Sequence, residues 1–508
     1  MADPQPTVLE TSVSLSQSVI WRLQRDYYIQ RGLNAWSQDK VPAFITSNPF
    51  TAEIYARIVF SFMRDWGDKP LRILELGAGT GKFCYLFLRH LTELLRSEGG
   101  DPQAIQYCMT DCAEPLIESW GRNQYLAEFV KPGILKYEVL EIGEKIQSAF
   151  LEHSGPLVII ANYVLDSLPQ DAFVARDGKM FEGLVSTTAP AVASPSLSQL
   201  QLSYTNAEIS PDRYSDPAWN NILELYRNTL PAGTVLFPSS ALRFLKGILD
   251  QTAGPVLALV ADKGFPHQEE LALCQWPPTL EFHGSNCFSQ MVNLDAIAKY
   301  FKNIGGEALM PEKHSSSLHI CAFLHGQAAG GFPLTRAEYQ TSQAAFGPDD
   351  LFSLFAWLNT HMEEMTVPQI LAALRLTRWD PIAFLRFFPI LARQLRTVTI
   401  ERNDLRAAMM RVWANHFPVQ ASENALAFDC GVILLEMHFF DEALSMFKIS
   451  QQILGPSAPT SYNLGLCAAG LARTSEALQY VTEACNMDAQ FEPARTMRRK
   501  LEEQIFQR

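Results

Sequence analysis

Between residues 70 and 325, short apolar runs recur at the length of strands. They are LRILEL (71–76), QYCMTD (106–111), LKYEVLEI (135–142), PLVIIAN (156–162), PVLALVAD (255–262) and SLHICAFL (317–324). Near-continuous apolar runs of this length, bounded by Gly, Pro and Asp, are the pattern of strands buried on both faces. Helical stretches separate them. The expected fold is therefore α/β, a doubly wound and mostly parallel sheet with helices on both sides. STTAPAVASPSLSQ (186–199) reads as an exposed loop inside this domain, because strand-like runs resume after it.

Upstream, Ile20, Trp21, Leu23, Tyr27, Tyr28 and Leu33 predict a helix within 15–36. Pro49, with Asn48 or Thr51 as cap, opens a second helix running to about Asp65. Residues 1–69 are expected as a helical segment packing on the domain at 70–325. GQAAGGFP (326–333) reads as a linker. Beyond it the strand pattern stops. Helix starts are marked at Pro348-Asp349-Asp350, at Thr366 with Pro368, and at Asp380-Pro381.

The helical third contains a repeat. FDCGVILLEMHFFDEALSMFKIS aligns with YNLGLCAAGLARTSEALQYVTEA, so that Gly431 pairs with Gly465, Ala443 with Ala477 and Phe428 with Tyr462, each 34 residues on. This period, with small residues where two helices would meet, resembles the tetratricopeptide repeat. Two units are too few to stand alone. The expectation is an all-α helical-repeat domain, with a helical connecting region at 335–425, repeats at 426–508, and residues 490–506 as a polar capping helix. The resemblance implies a protein partner.

At 508 residues the chain holds more than one domain. Its 47% hydrophobic and 19% charged content excludes wholesale disorder. A net charge of −13 with no basic cluster argues against nucleic acid as a partner. The nine cysteines form no C-x-x-C pair, and Cys108 and Cys112 have no second pair to complete a zinc site. They read as reduced thiols, and no metal is expected. The N-terminus lacks a basic region followed by an apolar run, and no stretch approaches the ~18 apolar residues of a membrane span. The expectation is a cytoplasmic protein with no membrane partner.

The sharpest motif is LRILELGAGTGKFCYLF. A buried strand ends in Glu75 and runs into Gly77-Ala78-Gly79-Thr80-Gly81, and a helix follows. A dinucleotide fold would place glycine at 82 to complete G-x-G-x-x-G, and that residue is Lys82. The E-x-G-x-G-x-G form instead resembles motif I of class I S-adenosylmethionine-dependent methyltransferases. That resemblance implies S-adenosylmethionine as cofactor, with Gly77, Ala78, Gly79 and Gly81 passing under its methionine part and Glu75 helping to hold its amino group. It also implies that Asp111, at the end of the second strand, accepts hydrogen bonds from the ribose hydroxyls. Glu141, near the end of the third, becomes a candidate adenine contact.

The fourth strand leads into Asn162, Tyr163, Asp166 and Pro169, at the carboxyl edge where open sheets bind ligands. VIIANYVLDSLPQDAFV closely resembles the A-N-E-x-x-D-A-L-P stretch of the MidA-like family, which includes the mitochondrial complex I assembly factor that methylates a protein arginine. AFITSNPFTAEIYA (43–56), LVADKG (259–264) and HGSNCFSQMVNLDAIAKYF (283–301) are similar to further family segments, so the resemblance spans about 20–325 and leaves the helical repeats outside. Tyr163 stands where the family has Glu, Lys263 where it has Tyr, and Thr80 where it commonly has Arg.

Methyl transfer is an in-line attack that needs an aligned nucleophile and a destination for its proton. Asp166 and Asn162 are the candidates to orient the nucleophile, Asn162 doubling as a cofactor contact. Asp262 is a second acid, and His283 a candidate pocket histidine. The reading is a methyltransferase acting on a protein side chain or a small-molecule nucleophile. The alternatives are a catalytically silent methyltransferase-like scaffold binding partners through its repeats, and an NAD-dependent oxidoreductase, which Lys82 disfavours.

Overall fold

The apolar runs become one seven-stranded sheet. Its strands are β1 (Leu71–Leu76), β2 (Ile105–Asp111), β3 (Leu135–Val139), β4 (Leu157–Asn162), β5 (Val256–Asp262), β6 (Glu307–Leu309) and β7 (His319–His325), in the order β6-β7-β5-β4-β1-β2-β3. The five strands from β3 to β5 are parallel, and β7 runs antiparallel to both β5 and β6. Every residue of β1 and β5 is buried, as their unbroken apolar runs require. Leu76 pairs with Ala161, Asp111 with Val139 and Asn162 with Ala261, so the carboxyl ends finish level. The chain winds from β1 out to β3 and then crosses back to β4 on the other side of β1. That reversal opens a crevice between β1 and β4.

The computed structural model describes residues 6–32, 45–67, 70–143, 148, 150–151, 155–192, 195–210, 212–313, 318–326 and 331–506. It divides into two units, Met1–Asp350 and Leu351–Arg508.

Within the first unit lies a second sheet that the apolar runs did not announce. It is antiparallel and joins Thr7–Ser14, Asp171–Arg176, Lys179–Ala189, Gln201–Glu208 and Ala232–Phe237. Its longest strand, KMFEGLVSTTA, is buried at alternate positions along most of its length. A sheet with one covered face has period two rather than continuous hydrophobicity. Leu15, Trp21, Val185, Leu197, Leu236 and Phe288 form a small core on it.

The N-terminal helices are α1 (Val19–Arg31) and α2 (Pro49–Trp66). Asn48 caps α2, its Oδ1 accepting the Thr51 N–H at 2.9 Å, with Pro49 in the first turn and left-handed Gly67 at the end. Helix α3 (Lys82–Ser97) follows β1. Leu33 to Ser37, and residues 43–44 of the segment beginning AFITS, lie outside the described residues.

The linker expectation needs correction. Residues 327–330 of GQAAGGFP lie outside the described residues, and the division of the chain falls after Asp350 instead. Helix α4 (Pro333–Ala345), expected in the connecting region, belongs to the first unit. Asp65, at the end of α2, accepts the backbone N–H groups of Leu334 and Thr335 at 3.1 and 2.8 Å and the Thr335 hydroxyl at 2.7 Å. Phe332 stacks on Phe62, and the Tyr339 hydroxyl donates to Ile320 O.

In the second unit every regular element among the described residues is helical. Helices begin at Val367 and Pro381, and one that starts at Pro348, just before the division, runs to His361, as the capping signals predict. The 34-residue correspondence reappears in packing. A Cβ on Gly431 would lie 2.8 Å from Phe447, and one on Gly465 would lie 2.5 Å from Val481, the residue 34 beyond Phe447. Glycine lets each helix, Leu426–Glu436 and Ala458–Gly470, lie close against its successor, Phe440–Leu454 and Thr474–Met487. The last helix, Glu492–Phe506, turns Ala494 and Leu501 inward. Among the described residues no helix is long and apolar enough to cross a membrane.

Candidate functional site

The loops leaving β1, β2 and β4 enclose a cavity of about 350 Å³. β1 delivers Glu75 and turns through residues 77–81. Gly77, Gly79 and Gly81 take φ values of 58°, 54° and 80°, left-handed conformations that a side chain strains. A Cβ on Gly77 would also lie 2.8 Å from Val164 Cγ2. Glu75, Gly77, Ala78 and Gly79 line the cavity, and Gly81 does not. Gly81 caps α3, where a Cβ would come 2.9 Å from Met109 Cε. Gly81, expected as a cofactor contact, thus stands off the cavity lining and packs the turn against Met109.

Two buried acids flank the loop. Asp111 accepts the Gly79 N–H at 3.3 Å on Oδ2 and the Ala113 N–H at 3.2 Å on Oδ1. Glu75 accepts the Tyr107 hydroxyl at 2.9 Å. Burial pushes the Glu75 carboxyl up to about 8; the Tyr107 bond pulls it down and neighbouring Asp111 adds to the rise. Burial also raises Asp111, against the backbone N–H groups that favour its charged form. Carboxyls held this way are poised to ionise against a ligand cation or to accept from hydroxyls.

β4 delivers Asn162 to the same cavity. Its Oδ1 accepts the Tyr55 hydroxyl at 2.7 Å, while its Nδ2 is buried without a partner among the described residues. Tyr163 follows with φ of 52°, a left-handed value for a bulky residue of the kind found at functional turns, and it too lines the cavity.

The two acids expected to orient the nucleophile stand behind this wall. Asp262 is 0% exposed, and its oxygens accept the N–H groups of Leu165 and Asp166 at 3.0 and 3.4 Å. It shapes the turn after β4. Asp166 is 5% exposed and does not line the cavity; Ser167, which does, donates to its Oδ1 at 3.0 Å. A position at a strand's carboxyl end fixes where a residue sits, and the turn decides which way its side chain points. Lys263 is paired with Glu281 at 3.0 Å. His283 lies off the cavity, 2.8 Å from Ser289 Oγ.

Glu141 lines the cavity and pairs with Arg25 at 2.7 Å. Arg25 belongs to a wall missing from the sequence reading. Trp21, Gln24, Arg25 and Tyr28 of α1 all face the cavity. Their spacing of i, i+3, i+4 and i+7 is that of any helix with one packed face, and nothing local says that the face meets a site 50 residues further along. A cavity of about 730 Å³ beside Arg213, Tyr214 and Asn220 contains none of the residues considered above.

Residues 54–285 match a family model described as "Putative S-adenosyl-L-methionine-dependent methyltransferase". No curated protein matches the chain. Among solved structures, it is similar to a Burkholderia thailandensis protein bound to S-adenosyl-homocysteine, at 17% identity over 59% of this chain and 74% of that one, with a TM-score of 0.41. It is also similar to the plantazolicin methyltransferase BpumL in complex with S-adenosyl-homocysteine, at 11% identity over 61% of this chain and all of that one, with a TM-score of 0.27. The lining suits such a cofactor, with buried carboxyls for an ammonium and for ribose hydroxyls and a loop with no room for a Cβ. The family match and the cavity together support an S-adenosylmethionine-dependent methyltransferase, with S-adenosylmethionine as its cofactor.

Proposed function

We propose that the first unit transfers a methyl group from S-adenosylmethionine to a nucleophile other than the arginine used by the MidA-like relative, and that the helical second unit docks a protein partner. One observation carries the cofactor half. Glu75, the glycines at 77 and 79, Asp111 and Asn162 come from three different strand ends and meet at one cavity. Glu75 and Asp111 would hold the ammonium and the ribose. Asn162 and Tyr163 stand on the β4 side, where an acceptor would enter.

The acceptor half rests on what that side offers. A guanidinium brings only donors and a fixed positive charge, and it is matched by carboxylates. Here the β4 side presents an amide, the phenol of Tyr163 and the hydroxyl of Ser167, while Asp166 and Asp262 lie behind. Burial keeps the Tyr163 phenol protonated. Such a wall suits a neutral acceptor. The retreat of both acids also favours the second reading, a silent scaffold that binds the cofactor without turnover.

Calorimetry with S-adenosylmethionine and with NAD tests the cofactor. Binding of the first and not the second is expected, and Gly79→Arg abolishes it in a chain that still folds. Unchanged affinity in that variant places the cofactor elsewhere. A methyl-label survey of lysate with the purified chain, followed by mass spectrometry of the labelled product, tests the acceptor. Methylarginine formed at a competent rate refutes the acceptor half, and a chain that binds cofactor but labels nothing supports the scaffold.

A further inference from the structure

Gln24 sits in the middle of the α1 face that lines the cavity, and it is 2% exposed. Its Oε1 accepts the Phe288 backbone N–H at 2.8 Å. A backbone N–H can only donate, so this bond fixes which end of the amide is which. The oxygen is engaged, and Nε2 is left buried with no partner among the described residues. The helix around it is firmly placed. Trp21 Nε1 donates to Leu15 O at 2.8 Å, the Trp21 and Phe288 rings lie 4.9 Å apart, and the Tyr28 hydroxyl lies 2.8 Å from Cys287 Sγ.

Buried amide donors are almost always satisfied, and one left unpartnered on a residue that lines a cavity points to a ligand as the missing partner. Asn162, which lines the same cavity, repeats the arrangement, with its oxygen taken by Tyr55 and its Nδ2 buried without a partner among the described residues. The ligand must therefore bring atoms with free lone pairs. An adenosyl cofactor has them in its ring nitrogens, ribose oxygens and carboxylate.

We propose that Gln24 is a cofactor-binding residue whose Nε2 donates to an oxygen or ring nitrogen of S-adenosylmethionine, which makes helix α1 part of the cofactor site. The proposal rests on the reading of this cavity as the cofactor site. It adds a contact more than 50 residues before the glycine loop, in a segment outside the matched family region.

The test is calorimetric titration of S-adenosyl-homocysteine into the full chain and two variants, with circular dichroism and melting recorded for each. Gln24→Glu keeps an oxygen for the Phe288 N–H and replaces the donor with a second acceptor. Gln24→Met keeps the length and removes both. Losing one such hydrogen bond weakens binding roughly tenfold, and an opposed lone pair weakens it further. We expect about that loss in Gln24→Met and a larger one in Gln24→Glu, with melting of the free protein showing that each variant is folded. If Gln24→Met does not fold, Gln24→Glu decides alone. Wild-type affinity in a folded Gln24→Glu overturns the proposal. Failure of the wild type itself to bind S-adenosyl-homocysteine defeats the cofactor reading instead.

Discussion

The Tyr55 hydroxyl donates to Asn162 Oδ1 at 2.7 Å and ties the second helix to the end of the fourth strand. Tyr55 is wholly buried and meets Phe83 edge-on at 5.3 Å. Its ring is held by packing, and the amide is oriented by its hydroxyl. Tyr55→Phe keeps the packing and leaves Oδ1 unmet, at a cost of about 1 kcal/mol in stability. With the amide free to turn, affinity for S-adenosyl-homocysteine falls roughly fivefold. Urea unfolding and calorimetry read the two effects separately. A loss of stability with no loss of affinity would leave Asn162 without a ligand contact.

Glu75 gives binding a pH dependence. In the free protein its carboxyl holds a proton below about 8, with Tyr107, Asp111 and Cys84 as its titratable neighbours. A ligand ammonium favours the ionised form, so binding expels a proton, and affinity rises with pH until the carboxyl is already ionised. Calorimetry in two buffers of different ionisation enthalpy detects that proton. Glu75→Gln should remove the proton release and weaken binding by about tenfold. Equal proton release in variant and wild type would assign the titration to another group.

Asp166 gives a stability signature of known sign. Burial raises its carboxyl to about 6; the Ser167 hydroxyl and Lys263 lower it, and Glu281 raises it. A folded value above the unfolded one means that stability is fully present below the unfolded value and lost as pH rises through about 6. Asp166→Asn removes that loss while its amide oxygen still accepts from Ser167. The variant should exceed wild type by about 1–3 kcal/mol at neutral pH, and the gap should close towards pH 4. Urea midpoints at the two pH values check this. A variant less stable than wild type at neutral pH would mean that the carboxylate is needed for the turn.

Helix α4 sets where the chain can be cut. A chain ending at Gly347 keeps the three hydrogen bonds to Asp65 and the Phe332–Phe62 stack, and it should bind S-adenosyl-homocysteine like the full chain. A chain ending at Gly331 uncovers Phe62 and strips Asp65 of all three donors. It should lose several kcal/mol, as exposure of Phe62 and loss of a half-buried hydrogen-bond cluster together require. Melting curves of the two truncations distinguish these outcomes. On our reading of the second unit, the chain ending at Gly347 binds cofactor but loses activity on the natural acceptor.

The parallel sheet was legible because burial on both faces writes itself as unbroken apolar runs, and the glycine loop because left-handed backbone demands glycine. The antiparallel sheet was not, since KMFEGLVSTTA alternates and carries polar residues on its other face. Asp111 and Asn162 were found from strand ends. Asp166 and Asp262 came from the same rule and are buried behind the wall, because the rule locates the backbone and not the side chain. Gln24 was invisible, as its defining bond spans 264 residues.

That bond also has a consequence for the order in which the protein is made. The glycine loop, Asp111 and Asn162 have all left the ribosome well before Phe288 does. Until Phe288 arrives, α1 lacks part of the surface against which it docks, and the Gln24 amide lacks the bond that orients it. A contact of such long range is entropically slow to close. The nascent chain thus carries the recognisable motif for much of its synthesis without a completed site, and cofactor capture belongs to the end of folding. Cofactor can stabilise the finished domain but cannot template its early stages.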